Sequence, residues 1–111
     1  MIIDKLKVFS EQTGDGETVD GDAFPLKRAK TLVLHFDDVT EYGEGEEPQS
    51  VTPAVYGTSD NGMAYAAIAA AEQSGNILHY NVEGLESAFV SLTFGNVTDD
   101  SAKIDAFAIL V

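Results

Sequence analysis

The side chains most able to do chemistry in this sequence are carboxylates, which occur in three adjacent pairs. The pairs are Asp37-Asp38, Glu46-Glu47 and Asp99-Asp100. Glycosidases use two carboxyl groups that flank the bond they cleave. Neighbouring residues in a strand point to opposite faces, however, and adjacent acids in a loop are usually solvated. We therefore expect none of these pairs to be catalytic.

The acidic segment 10–22 also offers hard oxygen atoms that calcium prefers. Asp15, Glu17, Asp20 and Asp22 stand there among three glycines. The segment lacks the ligand order of an EF-hand loop and its closing glutamate. The sequence predicts no cofactor and no metal ligand, and it leaves open whether the acidic loops bind calcium.

The other reactive residue types are not arranged for catalysis. His35 and His79 each fall in a predicted strand, without the carboxylate neighbours of a metal triad. Gly57-Thr58-Ser59 lacks the second glycine of a nucleophile elbow, and Gly14-Asp15-Gly16-Glu17 puts acids where phosphates would sit. The absence of cysteine excludes thiolate catalysis and thiolate zinc sites. We expect a protein that is not an enzyme.

Length and charge narrow the possible partners. A chain of 111 residues is large enough for a single domain, predicted to span 1–111. Nineteen acids against six bases give a net charge of −13, which repels nucleic acid and anionic membranes. No apolar stretch has the length of a signal peptide or a membrane span. We expect a soluble protein made in the cytoplasm, with no nucleic-acid or membrane partner.

Short β-branched and aromatic runs separated by turns predict an all-β fold. The expected strands are 6–9, 31–36, 51–59, 77–82, 89–94 and 104–111, with 63–73 also taken as strand although its alanines favour helix. Pro53 indicates an edge position or a bulge, and the connection 95–100 suits an antiparallel pair of the last two strands. Segments 10–22 and 37–48 are expected to be exposed acidic loops. The pattern predicts a β-sandwich or jelly-roll-like domain of six to eight antiparallel strands.

The chain as a whole resembles the cement, or decoration, proteins of tailed bacteriophage capsids. The motifs that carry the resemblance are Met1-Ile2-Ile3-Asp4-Lys5-Leu6 with Phe9-Ser10, Gly57-Thr58-Ser59-Asp60-Asn61-Gly62, Phe89-Val90-Ser91-Leu92-Thr93-Phe94 and Ala106-Phe107-Ala108-Ile109-Leu110-Val111. The chain departs from the family in its acidity and in the segment 37–48. The resemblance implies a jelly-roll-like β-sandwich on the outer surface of the virion, which binds the major capsid protein and reinforces contacts between its subunits. It fixes no individual binding residue.

Five of the six bases stand in two clusters, and these suggest a partner-binding surface. The candidate residues are Ile2, Ile3, Lys5, Leu6, Lys7, Lys27, Arg28 and Lys30. The bases could equally be charges that protect strand edges. A small domain with open strand edges also favours a homo-oligomer, either a dimer or a trimer. The rival function is a carbohydrate-binding or lectin-like module, which the lack of tryptophan and the four scattered tyrosines disfavour.

Overall fold

A computed structural model describes residues 2–12, 17–36, 50–59, 63–74, 77–95 and 104–111. Within these ranges the chain forms ten strands and no helix, and therefore no helix that could cross a membrane. The strands are β1 (Asp4–Gln12), β2 (Thr18–Asp20), β3 (Phe24–Pro25), β4 (Thr31–Phe36), β5 (Ser50–Thr58), β6 (Ala66–Ile68), β7 (Glu72–Ser74), β8 (Ile77–Asn81), β9 (Ser87–Gly95) and β10 (Ile104–Leu110).

The strands form two antiparallel sheets with the topology of a jelly roll. The front sheet has the order β1-β10-β4-β8-β7, and the back sheet has the order β2-β9-β5-β6, with β3 also paired to β9. The chain passes repeatedly from one sheet to the other, so that long strands consecutive in sequence lie in opposite layers. The predicted all-β sandwich is confirmed, and the strand order places it in the jelly-roll arrangement of two Greek keys.

Alternation along the strands creates the core between the two sheets. In β4 the side chains of Leu32, Leu34 and Phe36 are buried, whereas Thr31, Val33 and His35 point to the other face. The same period-two pattern runs through β8, β9 and β10. The largest fully buried side chains are Phe94, Leu26, Leu32, Leu34, Leu92, Ile104 and Leu110. Apolar side chains from both sheets therefore fill one continuous core.

The structure confirms the strands predicted at 6–9, 31–36, 51–59, 77–82, 89–94 and 104–111, with ends that shift by up to three residues, and it corrects two other expectations. Strands β9 and β10 do not pair with each other, because β9 lies in the back sheet and β10 in the front sheet. Segment 63–73 is not one strand, since it holds β6 and enters β7, which belong to different sheets. Within the described part of the chain, the half of β5 that holds Pro53 pairs with β9 alone, which fits the predicted edge-like position.

The segment expected to be an acidic loop at 10–22 is more ordered than predicted. Strand β1 continues to Gln12, and Thr18–Asp20 forms β2 beside β9. Its acidic residues Glu11, Glu17, Asp20 and Asp22 are nonetheless exposed, as expected. Backbone pairing at a sheet edge does not require apolar side chains, which is why composition alone missed these strands. The second acidic loop, 37–48, lies outside the described residues.

Candidate partner-binding surface

Three chain segments meet at one end of the front sheet, where β4 begins. The amide of Ile3 donates to the carbonyl of Leu110 at 2.7 Å, and the amide of Lys30 donates to the carbonyl of Val111 at 2.9 Å. The amide of Val82 in turn donates to the carbonyl of Lys30 at 2.9 Å. These bonds hold the segment before β1, the turn before β4 and the end of β10 side by side.

This end of the sheet presents apolar side chains to solvent. Ile2 is 63% exposed, Ile3 44% and Val111 38%. Among the described residues the remaining large hydrophobic side chain of comparable exposure is Met63, which lies elsewhere near β6. We call the group of Ile2, Ile3, Val111, Lys27, Arg28 and Lys30 the basic corner. Single exposed apolar residues are ordinary, but three together beside three cations form a local surface of distinct chemistry.

The turn that carries the cations has an unusual backbone. The amide of Ala29 donates to the carbonyl of Leu26 at 2.9 Å, which closes a four-residue turn. Its two central residues, Lys27 and Arg28, have φ angles of 52° and 62°. Positive φ at both central positions defines a type I′ turn, which normally holds Asn and Gly. Here two long cationic side chains occupy positions that disfavour any residue with a Cβ atom.

An ion pair ties the turn to the first strand. Lys27 Nζ lies 2.6 Å from Asp4 Oδ2, and the amide of Lys5 donates to Asp4 Oδ1 at 2.9 Å. The hydrogen bond from Lys27, followed by that from the Lys5 amide, lowers the pKa of Asp4 below its ordinary value. The pair fixes the side-chain direction of Lys27. Arg28 and Lys30 are also exposed in the same corner.

The other candidate residues on β1 lie away from the corner. Lys5 and Lys7 project from the outer face of the front sheet, where their Nζ atoms lie 5.2 and 5.7 Å from the ring centroid of Phe107. Lys7 Nζ also lies 3.6 Å from an oxygen of Asp105. Leu6 points the opposite way and packs part-buried against the core. Ile2, Ile3, Lys27, Arg28 and Lys30 therefore lie together at this end of the sheet, whereas Lys5 and Lys7 follow along the outer face of β1 and Leu6 packs inward.

An aromatic cluster on the outer face of the back sheet was missed at the level of sequence. The rings of Tyr56 and Phe89 stack across β5 and β9 with centroids 5.0 Å apart, and the Tyr65 ring packs edge-on against Phe89 at 5.1 Å. The Tyr65 hydroxyl lies 3.0 Å from the Ser87 hydroxyl. The tyrosines are therefore not all scattered, although Tyr80 is a core residue. Tyr56 and Phe89 meet because β5 pairs with β9, a long-range register that no local pattern in the sequence indicates.

Both histidines lie on the outer face of the front sheet, in the strands predicted for them. His35 on β4 is exposed and His79 on β8 is half-buried. No three His, Asp or Glu side chains of the described residues come close enough together to hold a metal ion. The acidic residue Asp15, considered for calcium, lies outside the described ranges.

Comparisons with known proteins add a likeness in fold. No protein-family model matches the chain, and no curated protein matches it in sequence. Among solved structures, the SPBc2 prophage-derived protein YomS superposes with a TM-score of 0.58 at 13% sequence identity. The match covers 96% of this chain and 92% of that protein. The chain is thus similar in fold, over almost its whole length, to a protein of prophage origin.

Proposed function

We propose that this chain is a structural virion protein that binds the outer surface of a phage capsid and stabilises contacts between major capsid protein subunits. The observation that carries the proposal is the basic corner, where three exposed cations and three exposed apolar side chains lie at the same end of the front sheet in a chain of net charge −13. The likeness in fold to a prophage-derived protein supports a phage origin. The protein acts by binding and not by catalysis.

The two kinds of side chain in the basic corner have different tasks. Burying an exposed isoleucine contributes about 1.5–3 kcal/mol, so Ile2 and Ile3 supply much of the binding free energy. Cations at the rim of an interface mainly set the orientation and the rate of association. Lys27, Arg28 and Lys30 therefore meet acidic groups of the capsid surface, while the acidic remainder of the chain faces solvent.

The strain in the turn supports a binding role for its side chains. An L-residue in the left-handed region costs about 1–2 kcal/mol relative to the ordinary helical region. Lys27 and Arg28 both adopt it, with φ angles of 52° and 62°. Strained backbone that a simpler sequence would relieve is typical of functional sites. On this reasoning, the charges of Lys27 and Arg28 offset the cost of their strained backbone by taking part in binding.

Sedimentation with capsids that lack the decoration protein tests the proposal. Deleting residues 1–6 would also remove the first part of β1, so substitution is the sharper change. Ile2→Ser combined with Ile3→Ser should reduce capsid attachment about tenfold or more, since the backbone bond of Ile3 to Leu110 is kept. Met63→Ser is the matched control, because Met63 is 84% exposed but lies outside the corner.

The contribution of the cations to capsid attachment is tested separately. Lys27→Ala with Arg28→Ala should weaken attachment modestly and flatten its dependence on salt, because ionic screening acts only on the charge contribution. Full occupancy of both double variants at every salt concentration, or equal losses for the isoleucine variant and for Met63→Ser, would show that the basic corner is not the attachment site. A gene position far from that of a major capsid protein would also count against the proposal.

The aromatic cluster favours one alternative, a carbohydrate-binding module. Sugar platforms present exposed aromatic faces, and Tyr56, Tyr65 and Phe89 are gathered on one sheet face. These rings are half-buried and pack against one another, which leaves less exposed ring surface on which a sugar could stack. Specific signals on a glycan array that disappear with Tyr56→Ala, together with no capsid attachment, would favour this alternative.

A further inference from the structure

The outer face of the front sheet carries a group of apolar side chains at its centre, among polar residues. Antiparallel sandwich strands normally alternate buried apolar with exposed polar residues. Here Val33, Ile77, Phe107 and Ile109 all lie on the outer face and are half-buried. The outer face of the back sheet presents Thr18, Thr52, Thr93 and Asp20 besides its aromatic cluster. The front face therefore offers a central apolar group with charged residues at its two edges.

The strand register arranges this face into rows with opposite charges at their ends. One row crosses all five strands in the order Lys5, Ile109, Val33, His79, Glu72. It begins with a cation on the edge strand β1 and ends with an exposed carboxylate on the other edge strand, β7. Its centre, at Val33 and Ile109, is apolar. Such a row is complementary to a copy of itself turned end for end.

We propose that this face binds a second copy of the chain, front sheet to front sheet, about a two-fold axis that runs along β4. That rotation exchanges the two edges of the sheet, so Lys5 of each copy lies over Glu72 of the other. Val33 then faces Val33 of the second copy at the centre. A two-fold interface uses the same patch twice, and this row is self-complementary in charge at its two ends, while Ile109 of each copy lies over His79 of the other.

The neighbouring row fits the same rotation. It runs Lys7, Phe107, His35, Ile77, Ser74 across the sheet. The axis along β4 places Phe107 of one copy over Ile77 of the other, on both sides of the axis. An axis perpendicular to the strands would instead stack β1 on β1 and bring Lys5 and Lys7 of the two copies together. Charge therefore selects between the two possible face-to-face arrangements.

The size of the face indicates how tight the dimer is. Five strands about 4.8 Å apart span about 24 Å, and the seven residues of β10 extend about 23 Å, which gives about 550 Å² of projected face. A standard interface buries about 800 Å² of accessible surface on each partner. The projected face is thus smaller than a standard interface, and we expect a weak dimer whose formation depends on protein concentration.

The direction of the two-fold axis also determines at which end of the dimer the two basic corners lie. Rotation about β4 keeps the strand direction, so the basic corners of both copies lie at the same end of the dimer. If the proposed function is right, the dimer could attach through two corners at once, which raises avidity without new contacts. This consequence rests on the proposed function, whereas the dimer itself does not.

Charge reversal across the interface tests the dimer in solution. Lys5→Glu places two acids opposite each other, and Glu72→Lys places two bases opposite each other. Each variant alone should weaken dimerisation about tenfold, measured by sedimentation equilibrium across micromolar concentrations. An equimolar mixture of the two variants should recover the dimer, because both contacts of the mixed dimer are then of opposite sign.

The recovery is diagnostic because Lys5 and Glu72 are far apart within one copy. They lie four strand spacings apart, or about 19 Å, so no contact inside one chain can produce it. Asp20→Lys is the matched control: it changes the charge as Glu72→Lys does, but on the back sheet, and should leave the dimer intact. Circular dichroism confirms that each variant is folded. A wild-type protein that stays monomeric at millimolar concentration, or a mixture without recovery, would overturn the proposal.

Discussion

Replacing Arg28 by glycine should make the protein more stable and a weaker binder. Relief of the left-handed conformation at φ 62° is worth about 1–2 kcal/mol. Glycine loses about 0.5–1 kcal/mol more backbone entropy on folding than a residue with a Cβ atom. The difference predicts a net stabilisation of about 0.5–1 kcal/mol. For a domain of this size, that raises Tm by about 2–4 °C.

The assay combines unfolding with attachment. Urea titration followed by circular dichroism should show a higher midpoint for Arg28→Gly with an unchanged slope, because the surface exposed on unfolding is the same. Capsid attachment of this variant should fall, since one cation of the basic corner is lost. A gain in stability together with a loss of binding is the expected pattern where strain is kept for function.

Gly84 provides the matched control for the backbone reasoning. It lies in the turn closed by the bond from the Leu85 amide to the Val82 carbonyl, and its φ is +84°. A Cβ atom there would meet nothing within 4 Å, so Gly84→Ala tests conformation alone. It should destabilise the fold by about 0.5–1 kcal/mol. If Arg28→Gly is no more stable than the wild type while Gly84→Ala loses stability, the turn at Arg28 is not strained as argued. Higher stability with unchanged attachment would refute the link to binding.

Three further predictions concern the ion pair, the core and the buried hydroxyl. Lys27 lowers the pKa of Asp4 below 3.8, so Lys27→Ala should bring this pKa back toward 3.8 in an NMR titration. The ion pair stabilises the fold above pH 3.8, and this stabilisation is lost as the pH falls through the lowered pKa. An unchanged Asp4 titration would contradict this prediction. Leu34→Ala should cost about 2–5 kcal/mol in urea unfolding because Leu34 is fully buried between the sheets, and a loss under 1 kcal/mol would mean that the core is not packed as described. Burial raises the pKa of the Tyr80 hydroxyl above 10.0 in the folded chain, so the unfolded chain loses the hydroxyl proton at a lower pH. The stability of the fold therefore decreases as the pH rises past 10, and Tyr80→Phe should reduce this decrease. Identical alkaline unfolding curves for the variant and the wild type would contradict the prediction.

The sequence by itself determined the class of fold and most of the long strands. The β-branched and aromatic run 31–36 and the two alternating sets of residues in 104–111 predict strands. Which set is buried is decided by packing against the other sheet. Pro53 indicates a position with an unpaired side, and β5 shows one there. These are local properties, and the residues that express them are neighbours in the chain.

Only the tertiary structure decided which strands pair and which residues meet. Strands β9 and β10 alternate equally well, but nothing in either says that one belongs to the back sheet and the other to the front sheet. Lys27 contacts Asp4 across 23 positions, and the Glu11 amide donates to Asp105 across 94. Contacts at such separations depend on the register of several strands at once. The two clusters of bases were visible in the sequence. That one cluster lies in the basic corner and the other on the front face follows from the strand register of the jelly roll, which no single segment encodes.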